Sequence, residues 1–293
     1  MRGWFGIVRQ PIRSTMQKVT VRVPASTSNF GPGFDCLGAA LRIYNEVTVS
    51  RGGRENPAAM IAEAADVFFA HARKRSFRFD AAISGDVPVS RGLGSSVTVR
   101  LGVMHGLNHL LGNVLSREEI FRICAELEGH PDNAGPAEFG GFNVIRGSDR
   151  QRFAVAEKLK FVLLVPDFEV STKEARALLP AQIDRRSAVA SCGNACAITA
   201  AFASAKYEKM RGAFADGLHQ PFREPLIPFF PDVVSAAENA GALGAFLSGS
   251  GSTIAAVTLR NPEKIARAMS EAASAAAQTI ITTADNRGTV ILR

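Results

Sequence analysis

Little cysteine, no long apolar run and no periodic glycine or proline mark this chain, and each absence removes a class of protein. Only Cys36, Cys124, Cys192 and Cys196 occur in 293 residues. They form no pair of C-x-x-C motifs, so a structural zinc site has no ligand spacing to build on. So few cysteines in so long a chain suit a reducing cytoplasm better than a disulfide scaffold. Cys192 and Cys196 are four apart and are expected as two small buried side chains on one face of an Ala-rich helix. No run approaches the roughly 18 to 20 apolar residues of a membrane helix. Gly and Pro follow no period, and no unit of about 20 to 50 residues repeats, which excludes collagen-like and solenoid architectures. Disorder is excluded because 46% of the residues are apolar and 21% charged, with neither charge dominating. Also missing are a Walker A loop, a G-x-G-x-x-G fingerprint and a G-x-S-x-G elbow. His71, His105, His109 and His219 show no metal-ligand pattern.

The formal charge is +7, but residues 1–17 hold Arg2, Arg9 and Arg13 and no acid, leaving +4 for the rest. No basic stripe with interleaved aromatics appears, so nucleic-acid binding has no support. A mild positive balance suits an enzyme that handles nucleotide phosphates. Residues 1–17 are expected to be a disordered extension or a start-site artefact, with Met16 near the true start. An Arg-rich transit segment is the other reading, while Arg9 and Pro11 interrupt any secretory apolar core.

Alternation predicts strands over 18–24 and 40–50, with a loop over Ala25–Gly38. Helices are expected over 57–75, from Ser96 to Leu111, and over 117–128. A strand precedes Gly85 and another follows the loop GHPDNAGP. The polar stretch SDRQRFAVAEK marks a boundary, which divides the chain into 18–157 and 158–293. The second half predicts a strand at 159–165, helices at 172–179 and 186–206, and a Pro-punctuated segment at 219–231. A helix at 232–241, a strand–turn–strand at 244–259, a helix at 262–275 and a strand at 278–292 complete it. Helices and strands mixed without strict alternation define an α+β class.

Six segments carry chemistry. Pro88, Val89, Ser90, Arg91, Gly92, Leu93, Gly94, Ser95, Ser96, Val97 and Thr98 form a Gly-rich run into a helix. Glycines let backbone approach a ligand, and the helix start favours an anion. The same run also reads as a plain helix cap. Glu126 and Glu128, before the loop His130-Pro131-Asp132-Asn133, are suitable oxygen ligands for Mg²⁺ or a solvated helix end with an Asx turn. His130 is expected to bond only backbone. Asn29 and Asp35 are polar groups held in a Gly/Pro loop. Thr172 and Arg176 share a helix face one turn apart. Arg223, after His219, suits a carboxylate; as single residues, Arg176 and Arg223 read more readily as surface ion pairs. Leu247 to Ser252 reads as a tight hairpin or as a second backbone wall near phosphate.

Taken together, the segments VRVPASTSNFGPGFDCLG, PVSRGLGSS and FLSGSGST resemble the three motifs of the GHMP kinase superfamily, in order. N-x-G-P-G-F-D-x-L-G, E-G-H-P-D-N, S-T-K-E-A-R and P-F-R resemble the homoserine kinases within it. The resemblance covers residues 18–293. It implies a two-domain GHMP kinase fold, with a half like ribosomal protein S5 domain 2 and a ferredoxin-like half. It implies ATP-dependent phosphorylation of L-homoserine in threonine biosynthesis, with Mg²⁺ and in some cases a homodimer. Residues 88–98 would then bind ATP, and Ser95 with Glu128 or Glu126 would hold Mg²⁺. Asn29, Asp35, Asn133, Arg176 and Arg223 would bind substrate, and Asn29, Thr172 and Arg176 would serve catalysis. Asp35 is the one nearby base candidate and is expected to bind the ammonium instead. Val97 and Thr98 depart from the usual pair of alanines. The alternatives are a kinase of another small alcohol, mevalonate- or sugar-like, and a non-catalytic regulator; Arg176 with Arg223 and the retained phosphate loop argue against both.

Overall fold

Alternating Val19, Val21 and Val23 start β1 (Lys18–Ser28), which pairs antiparallel with β2 (Leu37–Arg51). The computed structural model describes residues 17–53, 57–147 and 149–292. The N-terminal extension therefore lies, apart from Gln17, outside the described residues. Next come α1 (Ala59–Ala72), β3 (Phe79–Gly85), α2 (Ser95–Leu110), α3 (Arg117–Glu128) and α4 (Ala134–Phe139). They are followed by β4 (Phe142–Arg146), β5 (Asp149–Phe153) and β6 (Lys160–Pro166). After these lie α5 (Thr172–Ala177), α6 (Arg185–Ala203), α7 (Gln220–Arg223) and α8 (Phe230–Asn239). The chain ends with β7 (Gly244–Leu247), β8 (Ile254–Thr258), α9 (Pro262–Ala272), β9 (Ala277–Thr283) and β10 (Val290–Leu292).

Two sheets result. The first runs β10–β1–β2–β4–β5, with β3 also on β2; the second runs β7–β8–β6–β9. The order β6, helices, β7, β8, α9, β9 is the β-α-β-β-α-β pattern of a ferredoxin-like half. The apolar run of β6 is explained by burial on both faces. Phe161, Leu163 and Val165 join a core shared with the first sheet. Val162 and Leu164 face α8 and α9. A third core packs α1 to α4 against Val21, Val23, Val47 and Val49. A register shift at Pro24/Ala25 separates those valines from Ala25, Ala39 and Leu41, which join the shared core. A bulge bends and twists a strand pair in this way.

The expected loop Ala25–Gly38 is a turn over residues 29–36 and strand only at its two ends, Ala25 to Ser28 of β1 and Leu37 to Gly38 of β2. Ser26, Thr27 and Ser28 look like loop residues, but they pair with Ala40, Ala39 and Gly38 and are fully buried. Their hydroxyls are satisfied by Asn133 and Ser248. Within GHPDNAGP, α4 begins at Ala134. The polar stretch taken as a boundary contains β5, a half-exposed edge strand. Residues 278–292 form two strands in different sheets, because β10 returns to β1. A division at residue 158 thus leaves β10 on the first sheet. Cys192 and Cys196 are exposed, because the buried face of α6 is carried by Ser191, Ile198, Ala201 and Phe202. The sheets and their helices place the Gly-rich run, the first loop and the second half around one opening.

Candidate active site

That opening is a cleft of about 760 Å³ lined from both halves of the chain. Its floor is the Gly-rich loop. The carbonyl of Leu93 accepts from the Ser26 amide at 3.1 Å, and that of Arg91 from the Thr253 amide at 3.2 Å. The Gly92 carbonyl accepts from Ser248 Oγ at 2.6 Å. With its carbonyls turned into protein, the loop leaves its amides for the cleft. Gly92 and Gly94 have φ of 71° and 69°, and a Cβ on Gly92 would collide with the Ser248 carbonyl oxygen. Gly94 caps α2 and has no side chain to take its first-turn amides, which have no partner within the helix. The loop and the α2 N-terminus therefore form an anion cradle.

Ser95, Ser96 and Val97 line this cradle, as do Val89, Ser90 and Arg91. The Arg91 side chain turns away, to the Pro166 carbonyl and toward Asp167 and Glu169. Pro88, Leu93 and Thr98 do not line the cleft. Leu93 is core, Pro88 borders a second cavity of about 540 Å³, and the buried Thr98 hydroxyl bonds Asn45 and the Ser95 carbonyl. Their β-branched or apolar side chains pack the loop from behind.

Glu128 faces the α2 N-terminus. One of its oxygens accepts from Ser96 Oγ at 2.9 Å, and the other pairs with Arg100 at 2.6 Å. Glu126 is exposed and lies outside the cleft lining, because two residues along a helix turn a side chain to another face. Carboxylate and hydroxyl oxygens are the donors Mg²⁺ prefers, with phosphates and water completing its shell. The residues at this end fit that ion.

Opposite the cradle, Asn29 and Asp35 adopt left-handed backbone, with φ of 71° and 58°, which Asn and Asp tolerate best among side-chain residues. Asn29 is 2% exposed; its amide donates to the Gly249 carbonyl at 2.9 Å, and its oxygen accepts from the Asp35 amide. Asp35 pairs in bidentate fashion with Arg176, at 2.7 and 3.0 Å. The two groups expected to meet opposite ends of a substrate thus meet each other. The Asp35 hydrogen bond holds the Arg176 pKa above its ordinary value. Arg223 is 2% exposed and donates to the Gly249 carbonyl at 2.9 Å. Burial, then the charge of Arg176, lower its pKa to about 10, so it stays charged near neutrality. Thr172 lies 3.3 Å from Ser250 Oγ at the rim. Asn133 is tied on both sides, to Ser26 and Ser28.

Several lining groups escaped the sequence reading. His130 bonds the Asp132 carboxylate at 2.9 Å and not backbone. Burial pulls its pKa down, but the Asp132 hydrogen bond and charge outweigh this and raise it. Phe34 lies beneath both arginines. Met60, Ile83, Val87 and Val99, together with Val89 of the Gly-rich run already expected there, are the apolar residues of the cleft lining. Ile83 and Val89 are exposed, and solvent-facing apolar residues beside an anion cradle suit a flat apolar ligand; no sequence pattern marked Ile83.

Among known proteins, the family model for the GHMP kinases N terminal domain matches residues 59–141, and that for GHMP kinases C terminal matches 200–275. Fold and cradle thus define a kinase of that class. A homoserine kinase of Clostridium botulinum (strain Eklund 17B / Type B) is 38% identical over 257 residues, 82% of this chain and 86% of that one. One from Carboxydothermus hydrogenoformans is 35% identical over 94% of this chain and 97% of its own. The crystal structure of homoserine kinase from Cytophaga hutchinsonii superposes with a TM-score of 0.87 at 26% identity, over 97% of this chain and all of the other. The chain belongs to the GHMP kinases and, within them, to the homoserine kinase family.

Proposed function

We infer that this cleft phosphorylates L-homoserine on its side-chain hydroxyl with ATP, giving O-phospho-L-homoserine, a step toward threonine. The observation that carries this reading is the Gly-rich cradle at the α2 N-terminus facing a part-buried Asp/Arg cluster across one cleft. The apolar lining at Met60 and Ile83 suits adenine, and the cradle suits the phosphates. Ser95, Ser96 and Glu128 are the residues that would hold Mg²⁺, which, when bound, neutralises charge on the phosphates.

Phosphoryl transfer demands positioning and charge stabilisation more than covalent help. Homoserine is a zwitterion, and the Asp35–Arg176 pair presents one charge of each sign to it. Its ammonium goes to Asp35 and its carboxylate to Arg176 and Arg223, which are charged and held in place. Asn29 and Asn133 lie between this cluster and the cradle and orient the hydroxyl. Thr172, at the rim, is placed beside the transferred group. Arg176 also supplies positive charge near it. With Asp35 engaged by an arginine, no free carboxylate is assigned as base. A reducing cytoplasm suits the four free thiols, and no helix among the described residues is long and apolar enough to cross a membrane.

The test is a coupled ADP-release assay with L-homoserine, L-threonine, L-serine, mevalonate and galactose. We expect L-homoserine to be preferred, and Arg223→Leu to raise its KM by about a hundredfold with a smaller effect on kcat. Preference for a substrate without a carboxylate would overturn the substrate assignment and leave the kinase class standing.

A further inference from the structure

Two aromatic groups, half-buried Phe34 and fully buried His219, take no direct part in that mechanism, yet the two carboxylate-binding arginines rest against them. His219 is fully buried between the first loop and α7. Its Nε2 lies 2.8 Å from the Gly31 carbonyl oxygen. A carbonyl can only accept, so Nε2 carries the proton. Nδ1 is then a bare acceptor, and Arg223 Nη1 lies 3.2 Å from it. Burial, with the charge of Arg223, keeps the ring neutral by lowering its pKa to about 4, against the opposing pull of Asp216. The tautomer is therefore the one that can receive a hydrogen bond from Arg223.

Phe34 stacks on the imidazole, with ring centres 5.0 Å apart and 25° between planes. The guanidinium carbons of Arg176 and Arg223 lie 5.3 and 5.2 Å from the Phe34 ring centre. One aromatic ring thus lies close to two guanidinium groups and can make a cation–π contact with each. Without this support, each arginine has a long flexible stem and a choice of carbonyl partners. A carboxylate needs both guanidinium forks aimed at one point.

We propose that Phe34 and His219 are positioning residues that hold Arg176 and Arg223 in carboxylate-binding geometry and so set the affinity for the amino-acid acceptor. The inference rests on the carboxylate role given above to the two arginines. Neither residue touches the phosphate cradle, so the effect is confined to one substrate.

Steady-state kinetics on the full chain test it, with Phe34→Leu, His219→Gln and His219→Asn beside Arg223→Leu. Gln places its amide where Nε2 stood and loses the acceptor for Arg223; Asn places its oxygen where Nδ1 stood and keeps it. We expect Phe34→Leu and His219→Gln to raise KM for L-homoserine about tenfold, with KM for MgATP and kcat within about twofold. His219→Asn is expected to recover most of that loss. Parallel increases in both KM values would mark mere structural damage and overturn the inference. Unchanged KM for L-homoserine in Phe34→Leu and His219→Gln, with Arg223→Leu impaired, would overturn it and leave the carboxylate reading standing. Unimpaired Arg223→Leu would overturn both. If His219→Gln does not fold, Phe34→Leu, at the half-buried cleft wall, decides alone.

Discussion

At Glu128 a single carboxylate answers to two neighbours, the Arg100 guanidinium and the Ser96 hydroxyl. Arg100 also pairs with Glu63, so it fixes the carboxylate's direction without depending on it alone. Glu128→Gln keeps the shape and removes the charge that Mg²⁺ would meet. We expect kcat to fall by about two orders of magnitude and the Mg²⁺ concentration for half-maximal rate to rise, measured by titrating Mg²⁺ at fixed ATP. Glu126→Gln, on the exposed side of α3, is expected to leave both unchanged. The sequence narrowed the proposed Mg²⁺ ligand to two glutamates, since a helix end before a tight loop was readable. Choosing between them needed the packing of α3 against α2, which no local pattern records. Asp35 teaches the same lesson. Its type predicted a cation partner, but only the fold could bring Arg176, 141 residues away, to within 2.7 Å.

The Gly-rich run into α2 was legible as an element because glycine, serine and a helix start leave a local signature. Its tie to the second half was not. The Gly92 carbonyl binds Ser248, and the Arg91 carbonyl binds the Thr253 amide, both on the turn between β7 and β8. The tight turn expected there thus also packs against the Gly-rich loop. Gly92→Ala forces a side chain into left-handed backbone, at about 1–2 kcal/mol, and against the Ser248 carbonyl. We expect lower thermal stability and a KM for MgATP raised about tenfold, with KM for L-homoserine changed less. Equal changes in the two KM values would argue against a phosphate-specific loop. The elements misread from sequence share a cause. Buried Ser26, Thr27 and Ser28 and the polar edge strand β5 carry side chains whose usual place is a loop, and tertiary partners overrule that preference.

Across the whole molecule, Phe30 joins the two sheets next to Asn29 of the first loop. Its ring is fully buried and meets Phe142 of β4, Phe161 of β6, Phe202 of α6 and Phe246 of β7. Phe30→Ala would remove a shared core residue, at about 3–5 kcal/mol. We expect a large drop in the denaturant midpoint within a single transition, and loss of activity through the displaced Asn29. Two separate transitions, with activity lost only in the second, would show that the halves fold independently. The return of β10 to β1 ties the chain ends into the same unit. By itself, the sequence determined the α+β class, the Gly-rich loop, the family and most of the polar residues that line the cleft. These depend on local periodicity, glycine backbone freedom and short motifs, all of which act over a few residues. Tertiary structure alone decided which glutamate faces the cradle, that Asp35 and Arg176 neutralise each other, and that Phe34 and His219 stand behind the arginines. Those outcomes depend on contacts between residues far apart in the chain, and only the packing of two sheets into one core brings them within hydrogen-bonding distance.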